Sequence, residues 1–190
     1  MPDIVWIVAG AVAGLLLGVQ NAAAEVTIVG NGMAGACSTA ARLAARNLPM
    51  HAEGEQECTL ALENESLSRH ETAATYVDRG VLYLSDAAIE RARHDFEQAL
   101  KIEPGLPEAM VNRGAALIAG GHDAEGAAQI TRGLALKATE PEKAYYNRGV
   151  AEERLGDVRS AYFDYRAASE LKPDWSLPKI ELARFTVTPQ

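Results

Sequence analysis

The chain has 190 residues, of which 48% are hydrophobic, and its 26 acidic and 18 basic side chains give a net charge of −8. This length suits one compact domain plus a targeting segment. The acidic balance and the lack of any lysine- or arginine-rich run argue against nucleic acid and anionic membrane surfaces as partners.

The first 24 residues are predicted to be a secretory signal peptide. Residues 4–19 form an apolar run of 16 residues, and the small residues Ala22, Ala23 and Ala24 follow it as a cleavage site. Cleavage after Ala24 predicts a periplasmic or secreted protein with no stable membrane insertion. The first five residues contain Asp3 and no basic residue, which is atypical of a signal or indicates a start further upstream. An uncleaved N-terminal anchor and a buried core helix are the alternatives.

A glycine-rich turn comes next. Residues 26–29 (VTIV) read as a short strand, and Gly30, Gly32 and Gly35 then complete a G-x-G-x-x-G pattern before a predicted helix. This pattern is typical of dinucleotide-binding turns. No second strand ending in an acidic residue follows it, and the segment before the repeats is too short for a doubly wound sheet. The turn is therefore predicted to be a glycine-rich entry to a helix, without a cofactor.

Cys37 and Cys58 are the two cysteines of the chain. An even number of cysteines in an exported protein indicates a disulfide, which would join two predicted helices over residues 34–46 and 53–68. A zinc site using His51 and His70 is one alternative, but the CxxC and HxxxH spacings of zinc sites are missing. Lipid attachment at Cys37 is another.

The rest of the chain repeats one pattern. Gly80, Gly114 and Gly149 are 34 and 35 residues apart, and a small residue follows each of them 12 positions later, with Pro104 and Pro173 near the ends of the first and third copies. This period and these residue types resemble the tetratricopeptide repeat (TPR) family. The resemblance implies an all-α fold, a right-handed TPR solenoid of antiparallel helix pairs, with repeats at residues 73–106, 107–141 and 142–175.

The ends of the predicted solenoid are covered by further helices. Residues 25–70 are predicted to form an N-terminal helical hairpin that acts as a degenerate TPR-like cap. Residues 176–190 are predicted to be a capping helix and tail, with Ser176 as the helix N-cap and an apolar face made of Trp175, Ile180 and Phe185.

Within the third repeat, two helices are predicted to meet at a turn. Gly149 is expected to lie closest to Ala161, because helices approach closely where side chains are small. Gly156 is expected to need a positive φ, and Asp157 to cap the second helix.

In TPR proteins the first helix of each repeat lines a concave groove that holds a peptide. By position, the resemblance implies a groove lined by these residues: Val77, Val81, Leu84, Val111, Asn112, Ala115, Ile118, Tyr146, Asn147 and Val150. Tyr146 is predicted to face the groove and Tyr145 the interior of the hairpin. The alternative is that this stripe is core between repeats or is covered by the N-terminal hairpin. Lys143 and Arg154 are too few for the carboxylate clamp of some chaperone-binding relatives.

The chain lacks the GxSxG, HExxH and P-loop motifs, so no enzyme activity, metal or cofactor is predicted. The sequence therefore predicts an exported, non-catalytic scaffold that binds a protein or peptide partner. One alternative is an assembly or structural factor that acts by self-association. Another is a nucleotide-binding protein that uses residues 30–35. The identity of the partner and the oligomeric state are not predicted.

Overall fold

The computed structural model describes residues 32–46 and 51–186. In this part of the chain every regular element is a helix, and the all-α prediction is confirmed. The helices are α1 (Met33–Ala44), α2 (His51–Asn64), α3 (Arg69–Ser85), α4 (Ile89–Ile102), α5 (Pro107–Ala119), α6 (Asp123–Ala135), α7 (Pro141–Arg154), α8 (Val158–Leu171) and α9 (Ser176–Leu182). The predicted signal peptide, the strand-like residues 26–29 and Gly30 lie outside the described residues.

Consecutive helices pair into hairpins that stack in chain order. The pairs are α1 with α2, α3 with α4, α5 with α6 and α7 with α8, while α9 packs on α8. Each hairpin also packs on the first helix of the next one. We call α3, α5 and α7 the A helices and α4, α6 and α8 the B helices. Among the described helices, none combines the length and the apolar character that a membrane span requires.

Helix α3 begins earlier than the predicted start of the first repeat at residue 73, because Ser68 caps it. The Ser68 hydroxyl accepts a hydrogen bond from the backbone N–H of Glu71 (3.2 Å), and the Glu71 carboxylate accepts one from the backbone N–H of Ser68 (2.8 Å). This reciprocal pair is a capping box. Helix α2 consequently ends at Asn64, short of the predicted end at residue 68.

Two other predicted caps have different outcomes. The Asp157 carboxylate accepts from the backbone N–H of Ser160 (3.1 Å) at the start of α8, so this prediction is confirmed. The prediction for Ser176 is wrong. Trp175 holds the N-cap position of α9 without a side-chain hydrogen bond, and Ser176 is the first helical residue. A serine one position into the helix no longer has the extended backbone from which a side chain caps.

The turn after each A helix needs one residue with a positive φ. Gly121 and Gly156 hold this position in the second and third repeats, with φ of 82° and 85°, and Ala87 holds it in the first, with φ of 56°. The positive φ predicted for Gly156 is confirmed. At all three turns the next N–H donates back to a carbonyl five residues earlier, which is the usual end of a helix at a left-handed residue.

Ala87→Gly should raise the free energy of unfolding by about 1 kcal/mol, because a left-handed backbone strains any residue with a Cβ. Gly156→Ala should lower it by a similar amount, since no atom lies within 4 Å of a Cβ built there and only the backbone is affected. Urea denaturation measures the free energy of unfolding of both variants. Equal stabilities of Ala87→Gly and the parent would contradict the assigned turn.

The glycine that recurs in each A helix marks a close helix approach, but its partner differs from the predicted one. A Cβ built at Gly149 lies 3.0 Å from the Tyr165 ring and 3.3 Å from the Asp164 Cβ. The atoms nearest to Gly149 therefore belong to Tyr165 and Asp164, and not to Ala161 as predicted. The partner stands 16 positions after the glycine because the two helices run antiparallel across the turn. Gly80 meets Phe96 in the same way.

The second hairpin packs more tightly than the other two. Gly126 stands where the first and third repeats have Ala92 and Ala161. A Cβ at Gly126 would lie 2.7 Å from the Gly114 carbonyl oxygen, whereas the atoms nearest a Cβ at Gly149 belong to side chains. The glycines of the middle repeat therefore bring backbone against backbone.

Gly126→Ala should lower the free energy of unfolding by roughly 1–3 kcal/mol, because a methyl group there pushes on a backbone carbonyl that cannot move alone. Gly149→Ala is the matched control. The Tyr165 ring can shift by a few tenths of an ångström, and the better helix propensity of alanine, about 1 kcal/mol, offsets the strain. Thermal and urea melts should rank Gly126→Ala as clearly the less stable. The reverse order would contradict this packing.

Candidate partner-binding face

The glycine-rich turn at the start of α1 holds a carboxylate of the chain itself. The Glu65 carboxylate accepts hydrogen bonds from the backbone N–H groups of Met33 (2.6 Å) and Ala34 (3.1 Å). A Cβ at Gly32 would lie 2.5 Å from a Glu65 carboxylate oxygen, so glycine lets the carboxylate approach. A dinucleotide would need these N–H groups for its pyrophosphate. Their occupation by Glu65 argues against the nucleotide-binding alternative.

Cys37 and Cys58 lie in the same hairpin, one on α1 and one on α2. Their Sγ atoms are 2.11 Å apart, and both residues are fully buried. In the described part of the chain, no group of three or more His, Cys, Asp or Glu side chains is placed to hold a metal ion. Whether the bridge forms in the cell stays a prediction, which an alkylation test addresses below.

The structure buries nine of the ten predicted groove residues. The buried ones are Val77, Val81, Leu84, Val111, Asn112, Ala115, Ile118, Tyr146 and Asn147, and only Val150 is partly exposed. Burial therefore contradicts the expected exposure of most of these side chains, while their role in partner binding stays a prediction. The alternative, that the stripe is mainly core, describes these side chains better.

The described contacts explain this burial at three positions. Val111 and Ile118 pack into their own hairpin, where a Cβ at Gly133 would lie 2.6 Å from Val111 and one at Gly126 would lie 2.5 Å from Ile118. Tyr146 packs against the rings of Tyr165 and Trp175, with centroids 5.6 Å and 5.1 Å apart.

The predicted roles of the two neighbouring tyrosines are exchanged. Tyr146 is only 4% exposed, whereas Tyr145 is partly exposed and lies beside the Arg148 guanidinium, 5.4 Å from the ring centroid. Adjacent residues on a helix face different directions: Tyr146 is a buried member of the cluster with Tyr165, whereas Tyr145 packs against that cluster and stays partly exposed.

A cavity of about 220 Å³ lies between α7 and α9. Its lining residues are Tyr146, Val150, Glu153, Arg154, Tyr165, Glu181 and Arg184. The Tyr165 hydroxyl donates to the Glu153 carboxylate (2.9 Å), and Arg184 pairs with both Glu153 and Glu181. The cavity therefore combines an aromatic and aliphatic wall with balanced charges.

A second cavity, of about 340 Å³, lies between α1 and α3, and we call it the α1–α3 cavity. Its lining residues are Ala34, Gly35, Ser38, Thr39, Arg42, Glu71, Ala74, Thr75 and Asp78. Asp78 is 2% exposed, and burial raises the pKa of its carboxyl to about 7. Asp78 is not among the predicted site residues, although the sequence contains a signal: Asp78 stands where the later repeats have Asn112 and Asn147.

Helical register relates the two cavities, although no residue lining one is equivalent by period to a residue lining the other. Ala74 and Asp78 of the first repeat are equivalent by period to Lys143 and Asn147 of the third. Spacings of four, three and four residues place Lys143, Asn147, Val150 and Arg154 along one side of α7. This side of α3, α5 and α7 is called the partner face below.

The basic side chains of the partner face are already paired. Lys143 is buried and lies 2.8 Å from the Glu140 carboxylate. Arg154 donates to the backbone carbonyl of Ile118 (3.1 Å) and to Asp123 (3.2 Å). Neither residue is available to grip a ligand carboxylate without breaking these contacts.

An arginine on each A helix ties the stack together. Arg79 forms a two-pronged pair with the buried Asp95 (2.7 and 3.0 Å), and Arg148 forms the same pair with Asp164 (2.7 and 2.8 Å). Each also donates to a threonine of the preceding hairpin: Thr59 for Arg79 and Thr131 for Arg148, at 3.1 and 3.0 Å.

The middle repeat departs from this arrangement, since Gln129 replaces the aspartate. Arg113 pairs instead with Glu97 (3.5 Å) and Glu125 (3.1 Å), whose side chains are 40% and 54% exposed. In the third repeat, Glu152 also lies near the pair, 3.7 Å from Arg148. Burial and the nearby Asp164 raise the pKa of Glu152 to about 7.

Comparison with known families and structures agrees with this geometry. The model of the tetratricopeptide repeat family matches residues 73–105 and 142–174, the first and third repeats. The fold is a TPR solenoid. No curated protein sequence matches the chain.

Three solved structures illustrate the likeness. The TPR domain of OM64 from Arabidopsis is 22% identical, with a TM-score of 0.58, over 62% of this chain and 96% of that domain. The second TPR domain of human RPAP3, in complex with the HSP70 peptide SGPTIEEVD, is 23% identical, with a TM-score of 0.55, over 62% of this chain and 97% of that domain. A double mutant of MamA RS-1 is 18% identical, with a TM-score of 0.60, over 80% of this chain and 82% of the MamA chain.

Proposed function

We propose that this protein is a non-catalytic TPR scaffold that binds an extended segment of a partner protein along its partner face. The observation that carries the proposal is that one side of α7, by helical register, joins the positions equivalent to Ala74 and Asp78 with Val150 and Arg154, so that each cavity borders this side. A segment that follows this side would place one side chain beside Val150 and another beside Asp78. The human RPAP3 domain in complex with an HSP70 peptide is a structural neighbour that supports a peptide as ligand.

The charge of the partner face favours a neutral or basic segment. The peptide held by the RPAP3 domain ends in EEVD and is acidic. In this chain, Lys143 and Arg154 are paired with acidic residues, and the α1–α3 cavity contains Asp78 and Glu71. An acidic tail would meet like charges there, and like charges across an interface oppose binding.

The proposal is tested in two steps. Affinity capture with the full chain identifies a partner protein, and the affinities of two valine variants for segments of that partner are then compared. Val150→Glu puts a charge into the α7–α9 cavity, whereas Val158→Glu changes a side chain on α8 that is 53% exposed and lines neither described cavity. Segments of the captured protein, made as labelled peptides, should lose affinity at least tenfold for Val150→Glu and keep it for Val158→Glu. Equal affinity of both variants would contradict binding at the partner face.

We also propose export to the periplasm or secretion, with cleavage after Ala24. The apolar residues 4–19 and the following alanines support this proposal. Intact-mass analysis of the envelope fraction should find a chain that begins at Glu25. Recovery of the full-length chain in the membrane pellet would support the uncleaved anchor instead.

In an oxidising compartment, Cys37 and Cys58 should resist alkylation until a reductant is added, because their sulfurs form a bridge. Cys58→Ser should lower the free energy of unfolding by about 3 kcal/mol, since the bridge closes a loop of 21 residues. Mass spectrometry after alkylation, with and without denaturant, measures the first effect. Denaturant separates a bridge from simple burial, because free thiols would react once the chain unfolds.

Self-association is the second candidate function. The observation that favours it is a set of exposed apolar side chains towards the C-terminal end of the stack: Val158, Phe163, Leu171 and Ile180, each 44–57% exposed. A concentration series on a sizing column tests it. Elution at the monomer volume throughout would count against it, and a dimer that Phe163→Glu dissolves would favour it.

A further inference from the structure

The α1–α3 cavity contains a buried acid that is only partly compensated: burial raises the pKa of Asp78 more than a hydrogen bond from Ser38 and the charge of Arg42 lower it. The Oδ1 atom of Asp78 has no hydrogen-bond partner among the residues that the structure describes, and the residue is 2% exposed. Arg42 is the only basic residue lining the cavity, and its guanidinium donates to Ser38 (3.3 Å) and Thr39 (3.0 Å) on its own helix. A buried carboxylate oxygen without a partner is costly unless another group satisfies it.

Apart from Arg42 and the Ser38 hydroxyl, which hydrogen-bonds Asp78, the polar side chains of the cavity offer only acceptors. The Thr39 hydroxyl donates its proton to the Gly35 carbonyl (3.0 Å), and the Thr75 hydroxyl donates to the Glu71 carbonyl (2.8 Å). Each hydroxyl has one proton, so only lone pairs remain for a ligand. Glu71 adds a second acidic side chain at the exposed rim. A ligand that satisfies the Oδ1 atom of Asp78 must therefore bring a hydrogen-bond donor, and a positive charge suits a lining with two acidic side chains and one arginine.

We propose that the α1–α3 cavity binds a primary ammonium or guanidinium group, with Asp78 as its counter-ion. An ammonium has three donors and no acceptor, and a guanidinium has five donors, so either matches an acceptor lining. A volume of about 340 Å³ lies at the small end for ligand sites, which suits one side chain or a small amine. A proton competes for the same carboxylate, because burial raises the pKa of Asp78 to about 7.

The charged ligand could come from two sources, and for one of them, a bound peptide segment, this proposal rests on the proposed function. A lysine or arginine of a bound segment would enter the cavity if the partner face holds a peptide. A free small amine would enter it without any peptide. The charged group is the same in both cases, and the experiment separates them.

The test is an NMR titration of the full chain with n-butylammonium and with methylguanidinium, with n-butanol as the neutral control of similar shape. Saturable shifts of backbone signals from residues 34–42 and 71–78 are expected with both cations and not with butanol. Asp78→Asn should weaken the binding of both cations at least tenfold. Asparagine occupies the equivalent positions 112 and 147, so this variant should fold, and a thermal melt checks it.

Glu90→Gln is the matched control, since it removes a carboxylate from α4 whose side chain is 81% exposed. This variant should bind the cations as the parent does. Equal binding of butanol, or unchanged cation binding by Asp78→Asn, would overturn the proposal. Loss of binding in Glu90→Gln as well would also overturn it, because the effect would then be one of net charge.

Two further ligands assign the source once a cation is seen to bind. Tighter binding of an acetylated tripeptide with a central lysine than of butylammonium supports a peptide segment. Tighter binding of putrescine than of that tripeptide supports a free amine. Both results depend on the cation site, and neither depends on the capture experiment. A failure of capture with intact cation binding would therefore reject the proposed function and leave this inference standing.

Discussion

Tyr146→Ala is expected to lower the free energy of unfolding by roughly 3 kcal/mol, because it empties a buried aromatic site. Tyr146 touches both Tyr165 and Trp175, so its ring joins the third hairpin to the residue that precedes α9. Aromatic pairs of this kind contribute about 0.5–1.5 kcal/mol beyond their buried area. Urea denaturation followed by circular dichroism measures the change.

Tyr145→Ala is the matched control for this experiment. The residue type, the helix and the neighbourhood in sequence are the same, but Tyr145 is partly exposed and lies beside Arg148. Its removal should lower the free energy of unfolding by about 1 kcal/mol, close to the value of one partly exposed cation–π contact. A larger loss for Tyr145→Ala than for Tyr146→Ala would contradict the orientation of α7 in the structure.

Arg148→Ala should also be strongly destabilising, by about 3 kcal/mol. Asp164 is only 6% exposed, and without Arg148 its carboxylate would remain buried and unpaired. Removing one partner of a buried ion pair typically lowers stability by about 3–5 kcal/mol. The partial exposure of Arg148 places the expectation at the lower end of that range, since water can reach the vacated site. Thermal melts at low and high salt measure it.

Arg113→Ala supplies the comparison for Arg148→Ala. The acidic partners of Arg113 are 40% and 54% exposed, so water replaces the lost pairing. The loss should stay below about 1 kcal/mol. A double variant, Arg148→Met with Asp164→Leu, should recover most of the stability that Arg148→Ala loses, because it leaves no unpaired charge. If the double variant were as unstable as Arg148→Ala, packing rather than charge would explain the effect.

Several features of the fold could be read from the sequence because local chemistry decides them. The period of Gly80, Gly114 and Gly149 predicts stacked hairpins, since each glycine lets a neighbouring helix approach. Gly156 and Asp157 mark a turn because a positive φ and a side-chain cap need particular residue types. These requirements act within a few residues and do not depend on the rest of the molecule.

The partner face could not be read in the same way, because burial depends on distant elements. Tyr145 and Tyr146 have the same side chain, and the positions of Tyr165 on α8 and of Trp175 before α9 decide which of them is covered. Asp78 becomes notable only when α1 packs against α3 and surrounds it. Glu65 reaches the glycine-rich turn from more than 30 residues away, so the turn by itself could not reveal that its N–H groups are occupied.

The arginines of the A helices also bear on how the stack comes apart. A solenoid behaves as a row of units whose stability depends on coupling between neighbours. Arg79 and Arg148 each join the two helices of their own repeat and also bond a threonine of the repeat unit before. One side chain therefore contributes both to the stability of its own unit and to the coupling with the preceding unit. The two outer repeats are therefore coupled to their predecessors through a hydrogen bond from arginine to a neutral threonine, part-buried at Thr59 and exposed at Thr131. The junction between the first and second repeats uses the Arg113–Glu97 ion pair instead, so added salt should weaken that contact more than the arginine–threonine hydrogen bonds at the other two junctions.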